Sequence, residues 1–199
     1  MKGYAENKAY GTVAPINGTN PRQLYEHQKQ AMENLSVMDT EEKYSTLVVL
    51  PTGGGKTYTA STWLLKHAID RNKKILWLAH RHSLLEQAAE SFQKYAYATT
   101  IPHTSSFTYR IISGSVAHDR AVDITAKDNI LIASKDSIGR NLPALDSWLK
   151  GEDELYLVID EAHHSTAKTY RKVIEYLQKK VKHLKLIGLT ATPFRTGEE

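Results

Sequence analysis

The feature that most constrains this chain of 199 residues is its alternation of short apolar runs with longer stretches of helical periodicity. Six runs, most of them apolar almost throughout, are predicted to be strands: Thr46–Leu50, Lys74–Ala79, Thr108–Ile112, Asn129–Ala133, Leu155–Ile159 and Leu184–Leu189. Strands with two apolar faces are typical of a parallel sheet that is covered by helices on both sides. The alternation therefore predicts a doubly wound α/β fold, which binds its ligands at the carboxyl ends of the strands.

Helical periodicity fills the segments around these runs. We predict helices over residues 22–36, 56–70, 83–97, 117–124, 135–150 and 166–182. Ser83, followed three residues later by Glu86, has the pattern of a capping box at the start of one of them. Residues 1 to about 20 are polar and lack periodicity, so we expect a flexible N-terminal arm followed by one domain over 21–199. Thr99–Ser106 is expected to be a long loop.

Composition excludes several classes of protein. The chain has no cysteine, which rules out disulfide frameworks, zinc–thiolate sites and cysteine nucleophiles and is consistent with a reducing compartment. No apolar run approaches the roughly 18–20 residues of a membrane span, and the N-terminus lacks the apolar core of a signal peptide. We therefore expect a cytoplasmic protein with no membrane partner. The net charge of +4 permits a nucleic-acid partner without requiring one.

The segment Leu47–Thr57, LVVLPTGGGKT, leads from an apolar strand through three glycines into a predicted helix. Backbone N–H groups of such a turn, together with the positive end of the helix dipole, bind phosphate. Lys56 would reach the β- and γ-phosphates of a nucleotide, and the Thr57 hydroxyl would bind Mg²⁺. The common P-loop pattern also has a glycine five residues before Gly55, where this chain has Leu50. A plain strand-to-helix turn with a surface lysine is the less favoured alternative.

The segment Leu155–His164, LYLVIDEAHH, delivers two adjacent carboxylates at the end of another apolar strand. Successive strand residues point to opposite sides, so Asp160 and Glu161 cannot share one role. We assign Asp160 to the metal and Glu161 to the attacking water. A metal site that adds His163 and His164 is disfavoured, because adjacent histidines do not converge on one ion.

These two segments and Thr190-Ala191-Thr192-Pro193, in this order, resemble motifs I, II and III of superfamily 2 helicases and translocases. That family's loop commonly lacks the early glycine, which accounts for Leu50. The resemblance extends over residues 22–197. It implies a RecA-like P-loop NTPase domain, with a mostly parallel central sheet and helices on both faces, that uses ATP and Mg²⁺.

The resemblance also implies which residues hold ATP and which respond to it. The nucleotide-binding set comprises Tyr25, Gln28, Thr52, Gly53, Gly54, Gly55, Lys56 and Thr57. Gln28 matches a glutamine that contacts the adenine edge, with Tyr25 or Arg22 packing on the base; the alternative for Gln28 is a solvated helix residue. Three residues would couple ATP to movement: His163, Thr190 and Thr192.

Three further segments resemble the family's nucleic-acid contacts. Trp77–Gln87 resembles motif Ia, in which His80 and Arg81 would touch a nucleic-acid backbone, and an arginine at a helix N-terminus suits a phosphate. Gly114 and Ser134 fall in segments that resemble motifs Ib and Ic. Ser-Gly and Ser-Lys pairs are also common in turns, so a purely structural role remains an equal alternative for these two.

The motifs most resemble the branch that includes type I and type III restriction translocation subunits, excision-repair helicases and RadD-like repair helicases. The resemblance implies an ATPase that acts on nucleic acid, with duplex DNA favoured over RNA. Its second RecA-like domain, with motifs IV to VI and the arginine fingers, is not found in these residues, so we expect that domain as a partner and slow ATP turnover without it. A nucleotide-gated binding module without motor activity is the alternative, and a metabolic P-loop kinase is less favoured.

Overall fold

The computed structural model describes residues 8–51, 55–162 and 167–191. Within these ranges seven strands form one sheet: β1 (Tyr10–Val13), β2 (Tyr44–Leu50), β3 (Lys74–Ala79), β4 (Phe107–Ile112), β5 (Ile130–Ser134), β6 (Glu154–Asp160) and β7 (His183–Ala191). All six predicted strands are confirmed, with ends that differ by at most two residues. The strand order is β1-β4-β5-β3-β6-β7-β2, and every pair except β1–β4 is parallel.

Helices cover both faces of this sheet, as predicted. They are α1 (Glu26–Met38), α2 (Lys56–His67), α3 (His82–Lys94), α4 (Lys135–Gly139), α5 (Asp146–Leu149) and α6 (Ala167–Lys180). On one face α1, α2 and α3 bury Leu35, Leu64 and Phe92 in an apolar cluster against the sheet. On the other face Trp148 of α5 and Val173 of α6 belong to a second cluster. In the part of the chain that the structure describes, no helix is both long and apolar enough to cross a membrane.

The predicted loose arm over residues 1–20 is wrong for Tyr10–Val13, which form β1 antiparallel to β4. Pairing satisfies backbone groups that an edge strand would otherwise leave open. Two side chains anchor the added strand, because Val13 is buried and the Tyr10 ring lies over the Arg110 guanidinium at 4.3 Å. Residues 1–7 lie outside the described ranges.

Two predicted helices are wrong in extent. Residues 117–124 contain only a 3₁₀ turn over Ala121–Asp123, because the Arg120 guanidinium donates to the carbonyls of Ser113 and Ser115 and so folds the preceding residues into a loop. Residues 135–150 are divided into α4, a 3₁₀ turn and α5. The break contains Pro143, which lacks an N–H donor and disfavours helical geometry in the residue before it.

The predicted capping box at Ser83 and Glu86 is also wrong. Helix α3 begins one residue earlier, at His82, so Arg81 occupies the N-cap position and Ser83 lies inside the first turn. The Glu86 carboxylate lies instead 2.8 Å from Nε2 of His118. Glu86, which the sequence pattern predicted to cap its own helix, therefore contacts His118 in the loop after β4.

A buried polar cluster lies at the amino-terminal end of the sheet, away from the strand ends where ligands are expected. The Lys185 ammonium on β7 lies 2.8 Å from Glu154 of β6 and 3.1 Å from Asp39 at the end of α1. Arg71 also pairs with Glu154. Burial by itself raises the pKa of Glu154, but the hydrogen bonds from Arg71 and Lys185 outweigh burial and lower that pKa to about 2.

This cluster predicts acid sensitivity. A carboxyl group whose pKa is lower in the folded state than in the unfolded state stabilises the fold above its unfolded pKa, here 4.5, and loses that contribution as the pH falls toward about 2. We expect Glu154→Gln to lower the free energy of unfolding by about 1–3 kcal/mol at neutral pH and by progressively less below pH 4.5. Denaturant unfolding measured across this pH range checks it, with the exposed Glu175 changed to Gln as control. A pH-independent difference would contradict the assignment.

Candidate functional site

The predicted ligand edge forms where β2, β6, β7 and β3 end side by side. The parallel register places Leu50 opposite Ala191, Asp160 opposite Leu189, and Leu78 opposite Ile159. The residues that follow these strands are therefore brought to one edge of the sheet. Gly55, Lys56, the two carboxylates and Arg81 meet there, although they come from three distant parts of the chain.

Gly55 is the last glycine of the predicted phosphate-binding loop and caps α2, which begins at Lys56 as expected. Its φ of +74° lies in the left-handed region that glycine adopts at low cost. A Cβ atom at this position would also lie only 2.6 Å from Nε2 of Gln28, so any side chain there would require the Gln28 amide to move. Thr52, Gly53 and Gly54, the other predicted loop residues, lie outside the described ranges.

Gln28 is fully buried, so its alternative interpretation as a solvated helix residue is wrong. Its Oε1 atom accepts a hydrogen bond of 2.9 Å from the backbone N–H of Tyr25. The other end of the amide lies against Gly55. Gln28 thus connects the start of α1 to Gly55.

The two predicted base-packing residues differ in their surroundings. The Tyr25 ring is 63% exposed and stacks on His27 with centroids 5.5 Å apart. Arg22 lies over the Tyr58 ring at 3.8 Å and donates to the Tyr95 hydroxyl. Tyr25 therefore presents an open aromatic face, whereas Arg22 already stacks on a ring of this chain.

A cavity of about 570 Å³ opens between α1 and α2. Arg22, Tyr58 and Trp63 contribute to its wall, but neither Gln28 nor Lys56 does. The cavity is therefore distinct from the turn expected to hold phosphate.

Lys56 and the two carboxylates form the polar centre of the edge. The Lys56 ammonium lies 3.0 Å from Oδ1 of Asp160 and 3.8 Å from Oε2 of Glu161. Asp160 is fully buried, and burial raises its pKa, a rise that the Lys56 charge partly offsets and the Glu161 charge adds to. A buried carboxylate that keeps its charge needs cations close to it, and Lys56 supplies one.

The Asp160 carboxylate has the features of a metal ligand. Its second oxygen, Oδ2, is buried and makes no hydrogen bond with any described residue. A buried oxygen without a hydrogen-bond donor suits a hard cation or a water bound to one. The Thr57 hydroxyl, in the first turn of α2, is a second oxygen that such a cation could bind. Within the described ranges no group of three His, Asp or Glu side chains forms a complete metal site. One carboxylate and one hydroxyl would fit Mg²⁺, which usually keeps several waters and takes few protein ligands.

Glu161 directly follows β6 and has a φ of +53°, in the left-handed region that non-glycine residues rarely adopt. This backbone turn directs its side chain toward the end of β3. There Nη2 of Arg81 lies 3.1 and 3.3 Å from its two carboxylate oxygens. The structure thus places Arg81, predicted as a nucleic-acid contact, against the predicted water-activating residue.

The remaining predicted nucleic-acid contacts lie along the same edge. His80, Gly114 and Ser134 are at or just beyond the ends of β3, β4 and β5. The Ser134 hydroxyl caps α4 by accepting a hydrogen bond of 3.2 Å from the backbone N–H of Ser137. A Cβ atom at Gly114 would meet no other atom within 4 Å. Thr190, a predicted coupling residue, lies near the end of β7 opposite Val49, whereas His163 and Thr192 fall outside the described ranges.

Sequence reasoning missed the residues that shape the loop after β4. The Ser113 hydroxyl lies 2.6 Å from Nδ1 of His118, whose Nε2 contacts Glu86 of α3. The His82 ring also packs edge-on to His118, with centroids 5.7 Å apart. This chain of contacts joins the segments resembling motifs Ia and Ib. No local pattern predicts it, because its members come from two separate parts of the sequence, the start of α3 and the loop after β4.

Comparison with known proteins gives a consistent result. A family model described as "Type III restriction enzyme, res subunit" matches residues 22–195. The chain is 28% identical over 160 residues to the DEAD-box ATP-dependent DNA helicase Fancm of Drosophila melanogaster, covering 78% of this chain and 10% of that protein. It is 30% identical over 151 residues to the ATP-dependent DNA helicase MPH1 of Saccharomyces cerevisiae, covering 75% of this chain and 14% of that protein.

Solved structures share the fold. The UvsW helicase from bacteriophage T4 superposes with a TM-score of 0.57 at 18% identity, covering 88% of this chain and 55% of that one. The DUF1998 helicase MrfA bound to DNA superposes with a TM-score of 0.63 at 20% identity, covering 92% of this chain and 27% of that one. The chain spans 10–14% of the length of the first curated relatives that it matches. Because the family model matches nearly the whole chain, the chain belongs to the family of the type III restriction enzyme res subunit, and its fold is that of the first RecA-like domain of superfamily 2 helicases.

Proposed function

We propose that this chain is the ATP-binding motor domain of an ATP-dependent helicase or translocase that acts on nucleic acid, with duplex DNA as the favoured substrate. One observation carries the proposal: Lys56, which directly follows Gly55, converges with the buried Asp160 and with Glu161 at the strand ends. Several relatives are named as ATP-dependent DNA helicases, which supports both the nucleotide and the choice of DNA over RNA.

Each residue of this centre has a task in the proposed reaction. Lys56 leaves Asp160 to contact the β- and γ-phosphates of ATP, and the amides at the start of α2 add further donors. Asp160 and Thr57 would hold Mg²⁺, which when bound neutralises charge on the phosphates. Glu161 orients the attacking water and accepts its proton. Gln28 contacts the adenine edge, with Tyr25 on the base.

We further propose that a second RecA-like domain completes the site. ATP turnover in related phosphoryl-transfer enzymes rises by about 10³–10⁵-fold with an arginine supplied from outside the nucleotide-binding lobe. The chain by itself is therefore expected to bind ATP with Mg²⁺ weakly and to turn it over slowly.

Equilibrium titration tests the proposal. We expect a fluorescent ATP analogue to bind the chain in the presence of Mg²⁺ and to be released by EDTA. We also expect a short blunt DNA duplex to bind with an affinity that falls steeply as salt rises, since phosphate contacts release counterions. Absence of binding at low salt, whether of the ATP analogue or of the duplex, would overturn the proposal. Binding of both without any hydrolysis in a single-turnover assay would favour the nucleotide-gated binding module instead.

A further inference from the structure

Arg81 lies at the junction of the two proposed surfaces. It is the N-cap residue of α3, just beyond the end of β3, on the edge that carries the predicted nucleic-acid contacts. Strand β3 is also the direct neighbour of β6, with Leu78 opposite Ile159, so the residues after both strands are adjacent. The guanidinium therefore reaches Glu161, and one nitrogen atom, Nη2, donates to both carboxylate oxygens.

The two partners of this ion pair differ in their access to solvent. The Glu161 side chain is 16% exposed, whereas the Arg81 side chain is 57% exposed. A ligand arriving from solution can therefore reach the guanidinium without first displacing Glu161. Lys56 lies on the inner side of the same carboxylate at 3.8 Å. Glu161 is thus held between a cation of the nucleotide site and a cation that faces outward.

We propose that Arg81 is a positioning residue that makes Glu161 respond to nucleic acid, an inference that rests on the proposed function. A carboxylate oxygen that accepts from Arg81 has that lone pair engaged and cannot use it to accept the proton of water. A nucleic-acid phosphate competes for the same guanidinium N–H groups, which bind phosphate oxygens as readily as carboxylate oxygens. Phosphate binding draws Arg81 outward, and the Glu161 oxygens then become available to the water that attacks ATP.

Thermodynamic linkage gives this mechanism a test that does not depend on catalysis. If phosphate binding breaks the Arg81–Glu161 ion pair, the phosphate and Glu161 compete for Arg81. A substitution of Glu161 that removes the ion pair must then raise the affinity for phosphate by the factor by which the ion pair had lowered it. We expect Glu161→Gln to tighten binding of a short blunt DNA duplex about two- to fivefold, the range of a solvent-accessible ion pair. In the Arg81→Ala background the same substitution should tighten DNA binding less, by only the general effect of removing a negative charge. Fluorescence anisotropy of labelled duplex, without nucleotide, measures all four affinities.

The double-mutant cycle separates this mechanism from simple electrostatics. Removal of a negative charge strengthens DNA binding in general, but that effect is present with or without Arg81. Equal tightening in the two backgrounds would therefore overturn the inference. A chain that binds no duplex at low salt would overturn the proposed function together with the inference. A chain that binds duplex without Arg81-dependent coupling would overturn the inference alone.

ATP turnover provides the second readout. In single-turnover assays we expect Arg81→Ala to raise the DNA-free rate severalfold and to abolish stimulation by DNA, because no guanidinium then occupies Glu161. Arg81→Lys should restore part of the stimulation, since an ammonium can also exchange between carboxylate and phosphate. Arg140→Ala, which removes an exposed guanidinium just after α4, is the matched control and should keep both rates. Stimulation by DNA that persists in Arg81→Ala, or a DNA-free rate that falls, would contradict the mechanism.

Discussion

Replacing Lys56 with alanine is expected to weaken ATP binding by about a hundredfold or more, since truncating one member of a desolvated charge pair costs about 2–5 kcal/mol. The Lys56 side chain is 18% exposed and lies at the start of α2, where its ammonium can exchange Asp160 for the phosphates of ATP. Isothermal titration with ATP and Mg²⁺ measures the loss. No other described lysine or arginine lies within ion-pair distance of Asp160, so no neighbour replaces it.

The same substitution has a second consequence that must be separated from the first. Without Lys56, the buried Asp160 keeps its charge with no cation beside it or takes up a proton, and either outcome costs stability on the order of 1–3 kcal/mol. The double variant Lys56→Ala with Asp160→Asn removes that unpaired charge and should recover stability while ATP binding stays lost. Recovery of ATP binding in the double variant, or normal ATP binding in Lys56→Ala, would show that Lys56 does not contact the phosphates.

Replacing Glu161 with glutamine should leave ATP binding nearly intact and slow hydrolysis by about 10²–10⁴-fold, the contribution typical of a positioned general base. Glutamine has the shape of glutamate, but its amide cannot take a proton from water at neutral pH. The substitution keeps the length and shape of the side chain and removes only the charge that pairs with Arg81 and Lys56, so little reorganisation of the edge is expected. Single-turnover hydrolysis of radiolabelled ATP, with protein in excess, measures the effect.

Two comparisons make the result specific to Glu161. Glu175→Gln changes an exposed glutamate on α6 and should hydrolyse ATP at the normal rate. Asp160→Asn should instead weaken the Mg²⁺ dependence of ATP binding, because Asp160 holds the buried oxygen suited to the metal. Hydrolysis by Glu161→Gln at the rate of the unmodified chain would contradict the assignment of water activation to this residue.

Much of the fold was predictable because its signals are local. Strands β3, β5 and β6 are buried on both faces, so their apolar runs stand out in the sequence, and their observed ends differ from the predicted ones by only one residue or none. The start of α2 at Lys56 was also predictable, because three glycines precede Lys56 in the sequence. In contrast, β1 was missed because its four residues show only a weak alternation of buried and exposed positions. They form a strand because they pair with β4.

The helix errors have the same origin. Glu86 suits a capping box by its spacing from Ser83, but the charged contact with His118 across the loop is available only in the folded chain. The segment 117–124 has helical periodicity, yet Arg120 and Asp123 commit their side chains to backbone groups of a turn. The local propensity for a helix or a cap does not decide the structure where a tertiary contact satisfies a polar group better.

The sequence by itself determined which candidate groups this chain brings to its strand ends, because the glycines and Lys56 come after one apolar strand and the two carboxylates lie at the end of another. Only the tertiary structure decided how these groups face one another. Gln28 is buried against Gly55, and Arg81 reaches Glu161 across 80 residues of sequence. Such contacts depend on strand order and register, since placing β3 beside β6 is what brings Arg81 to the carboxylate of Glu161.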